Sequence, residues 1–82
     1  MKQYTLWVKN QDIAKDLPGL EERLQALGIQ VQRRNNEPLK SRSATILFEG
    51  NKTAIYKTLK EELNYTKEDL VIENVVKYTH RL

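Results

Sequence analysis

The first apolar pattern of the chain has a period of two and covers residues 3–9, QYTLWVK. Tyr4, Leu6 and Val8 fall on one side of an extended backbone, and Trp7 falls on the other side with polar residues. This alternation, in a segment rich in aromatic and β-branched residues, predicts a half-buried strand. If Leu6 faces a core, Trp7 lies on the opposite face, because successive side chains of a strand point to opposite sides.

A period of three to four residues follows in residues 16–28, DLPGLEERLQALG. Its apolar stripe consists of Leu17, Leu20, Leu24 and Leu27. Asp16 is a suitable N-cap, Pro18 is tolerated in the first turn, and Gly28 ends the run. These signals predict an amphipathic helix of about ten residues, on which Glu21 and Glu22 face water.

Two further alternating segments, IQVQR (residues 29–33) and SATILFEG (residues 43–50), flank a polar loop. In the second segment, Ala44, Ile46 and Phe48 alternate with Thr45 and Leu47. We expect the two segments to form an antiparallel hairpin across residues 35–41.

The segment KTAIYKTLKEEL, residues 52–63, predicts a second amphipathic helix. Ile55, Leu59 and Leu63 recur at intervals of four residues, which places them on one helical face. Asn51 precedes the segment and is a suitable N-cap. We therefore expect this helix to begin directly after Asn51.

The tail, KEDLVIENVVKYTHRL (residues 67–82), fits two patterns. Read as a strand, its apolar face consists of Leu70, Ile72, Val76 and Tyr78. Read as a helix, its stripe consists of Val71, Val75, Tyr78 and Leu82, and Thr66 with Asp69 resembles a capping box. The strand is favoured, because β-branched residues lose side-chain freedom in helices and suit pleated surfaces.

With a final strand the order of elements is βαββαβ, the split pattern of ferredoxin-like domains. The expected fold is α+β, with two helices on one face of a four-stranded antiparallel sheet whose first and third strands are central. The other face of the sheet would be open. A final helix would give the alternative order βαββαα. The resemblance is to a fold and not to a family, and this fold hosts many unrelated functions.

The net charge of +3 is concentrated in the predicted hairpin. Arg33, Arg34, Lys40 and Arg42 surround one acid, Glu37, whereas basic and acidic residues balance in the rest of the chain. A hairpin tip would gather these four cations into one cluster that can pair with phosphates or carboxylates. The alternative is a solvated loop whose charges protect the sheet from edge pairing.

The predicted open face carries Trp7 and Lys9 of the first strand and Leu47 of the third. RNA-recognition-motif domains stack bases on aromatic side chains of their central strands. Those domains present two or three aromatics, but here the matching third-strand positions are Thr45, Leu47 and Glu49. The alternative is a small apolar patch of Trp7 and Leu47, covered by a partner, a second copy or the C-terminal residues.

The composition argues against catalysis, cofactors and metals. The chain has no cysteine, and its one histidine, His80, lies among the last three residues. Its glycines are isolated, so no phosphate-cradling loop is present. No segment has the pattern of a signal peptide or a membrane span. We therefore expect a cytoplasmic protein without a cofactor or a bound metal.

These observations predict a single domain over residues 1–82 that acts as a non-catalytic binding module. Its expected partner is RNA or DNA, bound by the cations of the hairpin together with Trp7, Lys9 and Leu47 on the sheet. The alternative is a protein partner, with the chain acting as a dimerising module or as a small regulator or inhibitor that occludes an acidic protein surface. A homo-oligomer is expected, because a small chain with an open sheet gains much from further burial.

Overall fold

Residues 1–33 and 35–75 are described by the computed structural model, and they form an α+β fold with a four-stranded antiparallel open sheet and three helices. The elements are β1 (Lys2–Val8), α1 (Gln11–Ala14), α2 (Leu17–Ala26), β2 (Gln30–Val31), β3 (Ser43–Phe48), α3 (Lys52–Leu63) and β4 (Leu70–Asn74). The predicted α+β class and antiparallel sheet are confirmed. The expected number of two helices is wrong, because α1 adds a third.

Helix α1 is a single turn, so it is too short for an apolar period in the sequence to predict it. The Asn10 side chain caps it by accepting a hydrogen bond from the Asp12 backbone N–H at 2.8 Å. Ile13 and Ala14 are partly buried against the core. Four residues are too few to show a helical stripe, so only the cap residue marks this turn in the sequence.

The strands lie in the order β2-β3-β1-β4, with every pair antiparallel. Trp7 on β1 lies opposite Ser43 on β3 and Val71 on β4. Strand β2 is shorter than predicted, and its Gln30 lies opposite Leu47. Strands β1 and β3 therefore form the centre of the sheet, and β2 and β4 are its edges.

The predicted boundaries of the two longer helices are confirmed. Asp16 caps α2 by accepting from the Gly19 N–H at 3.1 Å, and Asn51 caps α3 by accepting from the Ala54 N–H at 2.8 Å. Helix α2 is followed by Gly28 at a φ of 80°, a left-handed conformation that favours glycine. The caps thus place both helices where the sequence indicated.

The core lies between one face of the sheet and the helices. It consists of Tyr4, Leu6, Val8, Leu17, Leu20, Leu24, Ile29, Val31, Leu39, Ile46, Ile55, Leu59, Leu70 and Ile72. Of these, Leu39 belongs to the polar loop between β2 and β3, and the sequence analysis did not place it in the core. Leu39 anchors the loop, so the loop is not a fully solvated tip.

The ambiguous tail is a strand over Leu70–Asn74, and the alternative of a helix is wrong for these residues. Thr66 and Asp69 still use capping chemistry, since the Thr66 N–H donates to Asp69 Oδ2 at 2.9 Å. Here they close a turn that leads into β4 and not into a helix. The predicted positions of Val76, Tyr78, His80 and Leu82 lie outside the described residues.

Within residues 1–33 and 35–75, no helix combines the length and the apolar character needed to cross a lipid bilayer.

Candidate interaction surface

The side of the sheet opposite the core carries exposed or half-buried side chains, and we call it the open face. Its members are Gln3, Thr5 and Trp7 on β1, Gln30 on β2, Ser43, Thr45 and Leu47 on β3, and Val71 and Glu73 on β4. Hydroxyl and amide groups predominate, and Glu73 is the charged member. The open face therefore offers many hydrogen-bond donors and acceptors with little charge of its own.

Trp7 is the large aromatic group of this face, and 46% of its surface is exposed. Its neighbours across the strands are Ser43 and Val71. The Arg42 guanidinium carbon lies 5.6 Å from the centroid of the Trp7 ring, within the range of a cation–π contact. The predicted exposure of Trp7 is confirmed, and the structure adds a cation beside it.

Arg42 is held at the end of β1 by its own side chain. Its Nε donates to the Val8 carbonyl oxygen at 2.8 Å, and its Nη2 donates to the Lys9 carbonyl oxygen at 2.6 Å. The Val8 N–H donates in turn to the Arg42 carbonyl oxygen at 2.8 Å. The prediction of a solvated cation at a hairpin tip is wrong for Arg42, because these bonds fix the guanidinium against Trp7.

Arg33 forms a forked ion pair with Glu21 on α2. Its Nε donates to Oε2 at 3.0 Å and its Nη2 donates to Oε1 at 2.7 Å. The hydrogen bonds and the negative charge of Glu21 raise the pKa of Arg33 above its ordinary value. Arg33 is therefore bound internally, and the expectation of a freely solvated side chain is wrong for it.

Glu21 was expected to face water, but only 1% of its surface is exposed. The spacing of Glu21 from the leucines of the apolar stripe indicates this burial. Glu21 lies four residues after Leu17 and three before Leu24, so it shares the side of the helix that faces the core. A charge at such a position requires a partner, and Arg33 supplies it.

The other members of the predicted cationic cluster differ in their surroundings. Lys40 lies 3.3 Å from Glu37, and both side chains are well exposed. Lys9 is exposed at the end of β1, beside the carbonyl that binds Arg42. Arg34 lies outside the described residues. The described cations thus have three separate intramolecular partners: Glu21 for Arg33, Glu37 for Lys40, and the end of β1 beside Trp7 for Arg42.

Leu47 does not join Trp7 in an apolar patch, so that expectation is wrong. Leu47 lies opposite Gln3 on β1 and Gln30 on β2, whereas Trp7 lies opposite Ser43. Four residues along a strand separate Ser43 from Leu47, a distance of roughly 13 Å. The apolar neighbour of Trp7 on this face is Val71.

A cleft of about 680 Å³ lies between the sheet and the loop that connects β2 to β3. Its lining includes hydroxyl groups of the sheet and polar groups of the loop: Thr5, Ser43, Thr45, Gln32, Arg33, Glu37, Lys40 and Ser41. Because Thr5 and Ser43 are also neighbours of Trp7 on the open face, the cleft continues the surface around the ring. No sequence pattern indicated this cleft, which forms because Leu39 of the loop is buried in the core.

The loop has a backbone signal that explains its shape. Asn35 and Asn36 have φ values of 55° and 58°, in the left-handed region. Asparagine is among the few residues other than glycine that tolerate this region. The Asn-Asn pair therefore turns the chain back, so that Leu39 reaches the core.

The described part of the chain holds no group of three or more His, Cys, Asp or Glu side chains with the arrangement of a metal site. The absence of a bound metal in the functional protein stays a prediction.

Comparisons with family models, with curated proteins and with solved structures gave no match to this chain.

Proposed function

We propose that this chain is a ferredoxin-like, non-catalytic binding module that holds single-stranded RNA or DNA on the open face of its sheet. The observation that carries the proposal is the exposed Trp7 ring on a central strand, with the fixed Arg42 guanidinium beside it. A cytoplasmic location stays a prediction.

The strand order and the connections support the ferredoxin-like assignment. Helix α2 lies on the connection from β1 to β2, and α3 lies on the connection from β3 to β4. The hairpin of β2 and β3 lies between these two units. These features support a split βαβ arrangement, with α1 as a one-turn addition to its first connection.

The proposed contact is a base stacked on the Trp7 indole. Stacking of a base on an aromatic side chain contributes about 1–3 kcal/mol and tolerates any sequence, because every base has a π-face. The Arg42 guanidinium lies 5.6 Å from the centre of the Trp7 ring, and the proposal is that this contact limits the motion of the ring before binding and so lowers the entropic cost of the stack. Thr5 and Ser43 lie beside the ring and offer hydroxyl groups to a base edge or a sugar.

Electrostatics is expected to play a smaller part than the sequence suggested. Within the described residues, Glu21 compensates the charge of Arg33 and Glu37 pairs with Lys40, which leaves Lys9 and Arg42 as cations near the open face without an acidic partner. Two phosphate contacts on a single strand would give a salt slope of about −1.4. The proposed binding is therefore weak and depends on stacking more than on charge.

Fluorescence anisotropy of a labelled oligouridylate tests the proposal. We expect saturable binding by the wild type, a loss of about tenfold in affinity for Trp7→Leu, and a smaller loss for Trp7→Phe, which keeps an aromatic face. Lys57→Ala on α3 is the control, because it removes an exposed lysine outside the open face. Equal binding by the wild type and Trp7→Leu would refute the stacking site.

A protein partner is the second candidate, and the ion pairs favour it. Because Glu21 and Glu37 already pair with Arg33 and Lys40, the face as formed by residues 1–33 and 35–75 presents fewer free cations than a nucleic-acid surface usually does. A small regulator or inhibitor would cover its target with Trp7 and Val71 at the centre and polar groups at the rim. Self-association through this face is the simplest such case, and it would shift the Trp7 emission as the protein concentration rises, without any ligand.

A further inference from the structure

The outer edge of β4 is occupied by one side chain from α3. The Ile72 N–H donates to Tyr56 Oη at 2.7 Å, and Tyr56 Oη donates to the Ile72 carbonyl oxygen at 3.1 Å. Both backbone groups of Ile72 therefore point away from β1, although Ile72 lies opposite Leu6 in the pairing of these strands. In an antiparallel ladder such a residue alternates with residues that bond to the neighbouring strand.

A hydroxyl group is well suited to this position, because it can accept from one N–H and donate to one carbonyl at once. The next outward N–H toward the start of the strand, that of Leu70, donates to the Thr66 carbonyl oxygen at 3.1 Å. The tyrosine ring is half-buried and has the Lys67 ammonium 5.0 Å from its centroid. The edge thus has its hydrogen bonds satisfied from within the chain at two successive outward positions.

We propose that the β4 edge is a strand-pairing surface that Tyr56 keeps closed, and that the partner it excludes is β4 of a second copy. This edge is self-complementary. An antiparallel pair with a two-fold axis at Ile72 joins the N–H of each Ile72 to the carbonyl of the other. The same register places Glu73 opposite Val71 of the second copy, so no like charges oppose each other.

The inference concerns a surface separate from the open face and does not depend on nucleic-acid binding. Exposed strand edges are general sites of association, and proteins block them with side chains, bulges or charges. Here the block is a pair of hydrogen bonds from a neutral hydroxyl. Self-association through this edge is accordingly expected only when Tyr56 is displaced.

The test compares wild type, Tyr56→Phe and Tyr56→Ala by sedimentation and by hydrogen exchange of the Ile72 amide. For Tyr56→Phe in dilute solution we expect about fivefold faster exchange at Ile72, because both bonds of the hydroxyl are lost and the Ile72 amide keeps no acceptor at the edge. For Tyr56→Ala, which also removes the ring, we expect dimers whose fraction rises with concentration while the Ile72 amide regains protection. The wild type is expected to keep this amide protected at every concentration.

Two matched variants separate edge pairing from general destabilisation. Tyr65→Phe removes a hydroxyl that has no hydrogen-bond partner within residues 1–33 and 35–75, and it should change neither readout. Adding Asn74→Pro to Tyr56→Ala removes the next outward N–H and should restore monomers, since proline blocks an edge without disturbing the inner ladder. A folded Tyr56→Ala chain that stays monomeric would overturn the proposal. If that variant does not fold, Tyr56→Phe decides. It frees both backbone groups of Ile72, so its Ile72 amide should regain protection as the concentration rises, and exchange that does not slow at high concentration overturns the proposal.

Discussion

The two ends of the loop between β2 and β3 each carry an arginine, and the two arginines bind different partners. Arg33 binds the buried carboxylate of Glu21 on α2, whereas Arg42 binds two backbone carbonyls at the end of β1 and lies beside Trp7. In the sequence they look like members of one cationic cluster. The two arginines differ in the burial of their partners. Arg33 compensates a buried charge inside the fold, whereas Arg42 holds its guanidinium at the surface beside Trp7.

Replacing Arg33 is expected to have the largest effect on stability. Arg33→Met leaves the Glu21 carboxylate buried without its partner, which should lower the unfolding free energy, but by less than the loss of a fully buried pair because the Arg33 side chain is 42% exposed. Urea unfolding measures this loss. The double variant with Glu21→Gln should recover part of it, because a neutral amide tolerates burial better. A stability equal to that of the wild type would show that the pair is not a structural contact.

Replacing Arg42 is expected to cost less stability and to change the surface more. Arg42→Met removes both hydrogen bonds to the carbonyls of Val8 and Lys9 and the contact with Trp7, for a loss of about 1–2 kcal/mol. The Trp7 emission should shift to the red as the ring becomes more exposed to water. Arg42→Lys keeps the charge but not the fork, so it should fall between the two. An unchanged emission spectrum in Arg42→Met would contradict the described contact.

The stability of the turn before β4 is expected to depend on pH through the Asp69 carboxylate. Its carboxylate accepts from Asn10 Nδ2 at 2.8 Å and from the Thr66 N–H, and these bonds lower its pKa below the ordinary value of 3.8. Because the pKa of Asp69 is lower in the folded state than in the unfolded state, the ionised carboxylate stabilises the fold at pH values above the unfolded pKa. This stability is lost as the pH falls below 3.8 and through the folded pKa.

In Asn10→Ala the largest cause of the shift is gone, so the folded pKa of Asp69 should rise toward 3.8, and the stability lost on acidification should be smaller and complete at a higher pH. The Asp69 carboxyl shift followed by NMR, together with urea unfolding at several acidic pH values, measures both quantities. Glu22→Gln, which removes an exposed carboxylate on α2, is the control. A titration of Asp69 that is the same in Asn10→Ala and in the wild type would contradict the assigned cause.

The smallest effect is expected for the middle of the loop. Lys40 and Glu37 are both exposed, so Lys40→Ala should change the unfolding free energy by about 0–0.5 kcal/mol, and any change should vanish at high salt. Thermal unfolding at low and high salt checks this. A loss as large as that of Arg33→Met would remove the distinction between a buried and an exposed partner.

The sequence predicted the elements because their signals are local. Periods of two and of three to four residues located the strands and the longer helices, and Asp16, Gly28 and Asn51 marked the helix ends. The preference of β-branched residues for strands decided the tail correctly over Leu70–Asn74. These signals depend on neighbours within one or two turns of chain.

The site could not be predicted in the same way, because its contacts join distant segments. Arg42 contacts the end of β1 and Arg33 contacts α2 through a loop whose path depends on the burial of Leu39 in the core. The separation of Trp7 from Leu47 depends on the register between β1 and β3, which alternation leaves open. Only the burial of Glu21 had a readable signal, its position between Leu17 and Leu24 on the apolar stripe.

The most direct test of the account is the intrinsic fluorescence of Trp7 during titration with an unlabelled oligouridylate. Trp7 is the one tryptophan of the chain, so the signal comes from the proposed contact itself. We predict saturable quenching in the wild type, about the same affinity in folded Arg33→Met at low temperature, and clearly weaker binding in Arg42→Met. Duplex RNA of the same length should quench less, because its bases are already stacked. Oligonucleotide binding with no change in Trp7 fluorescence, or equal affinities for wild type and Arg42→Met, would contradict the claim that the open face around Trp7 is the binding site.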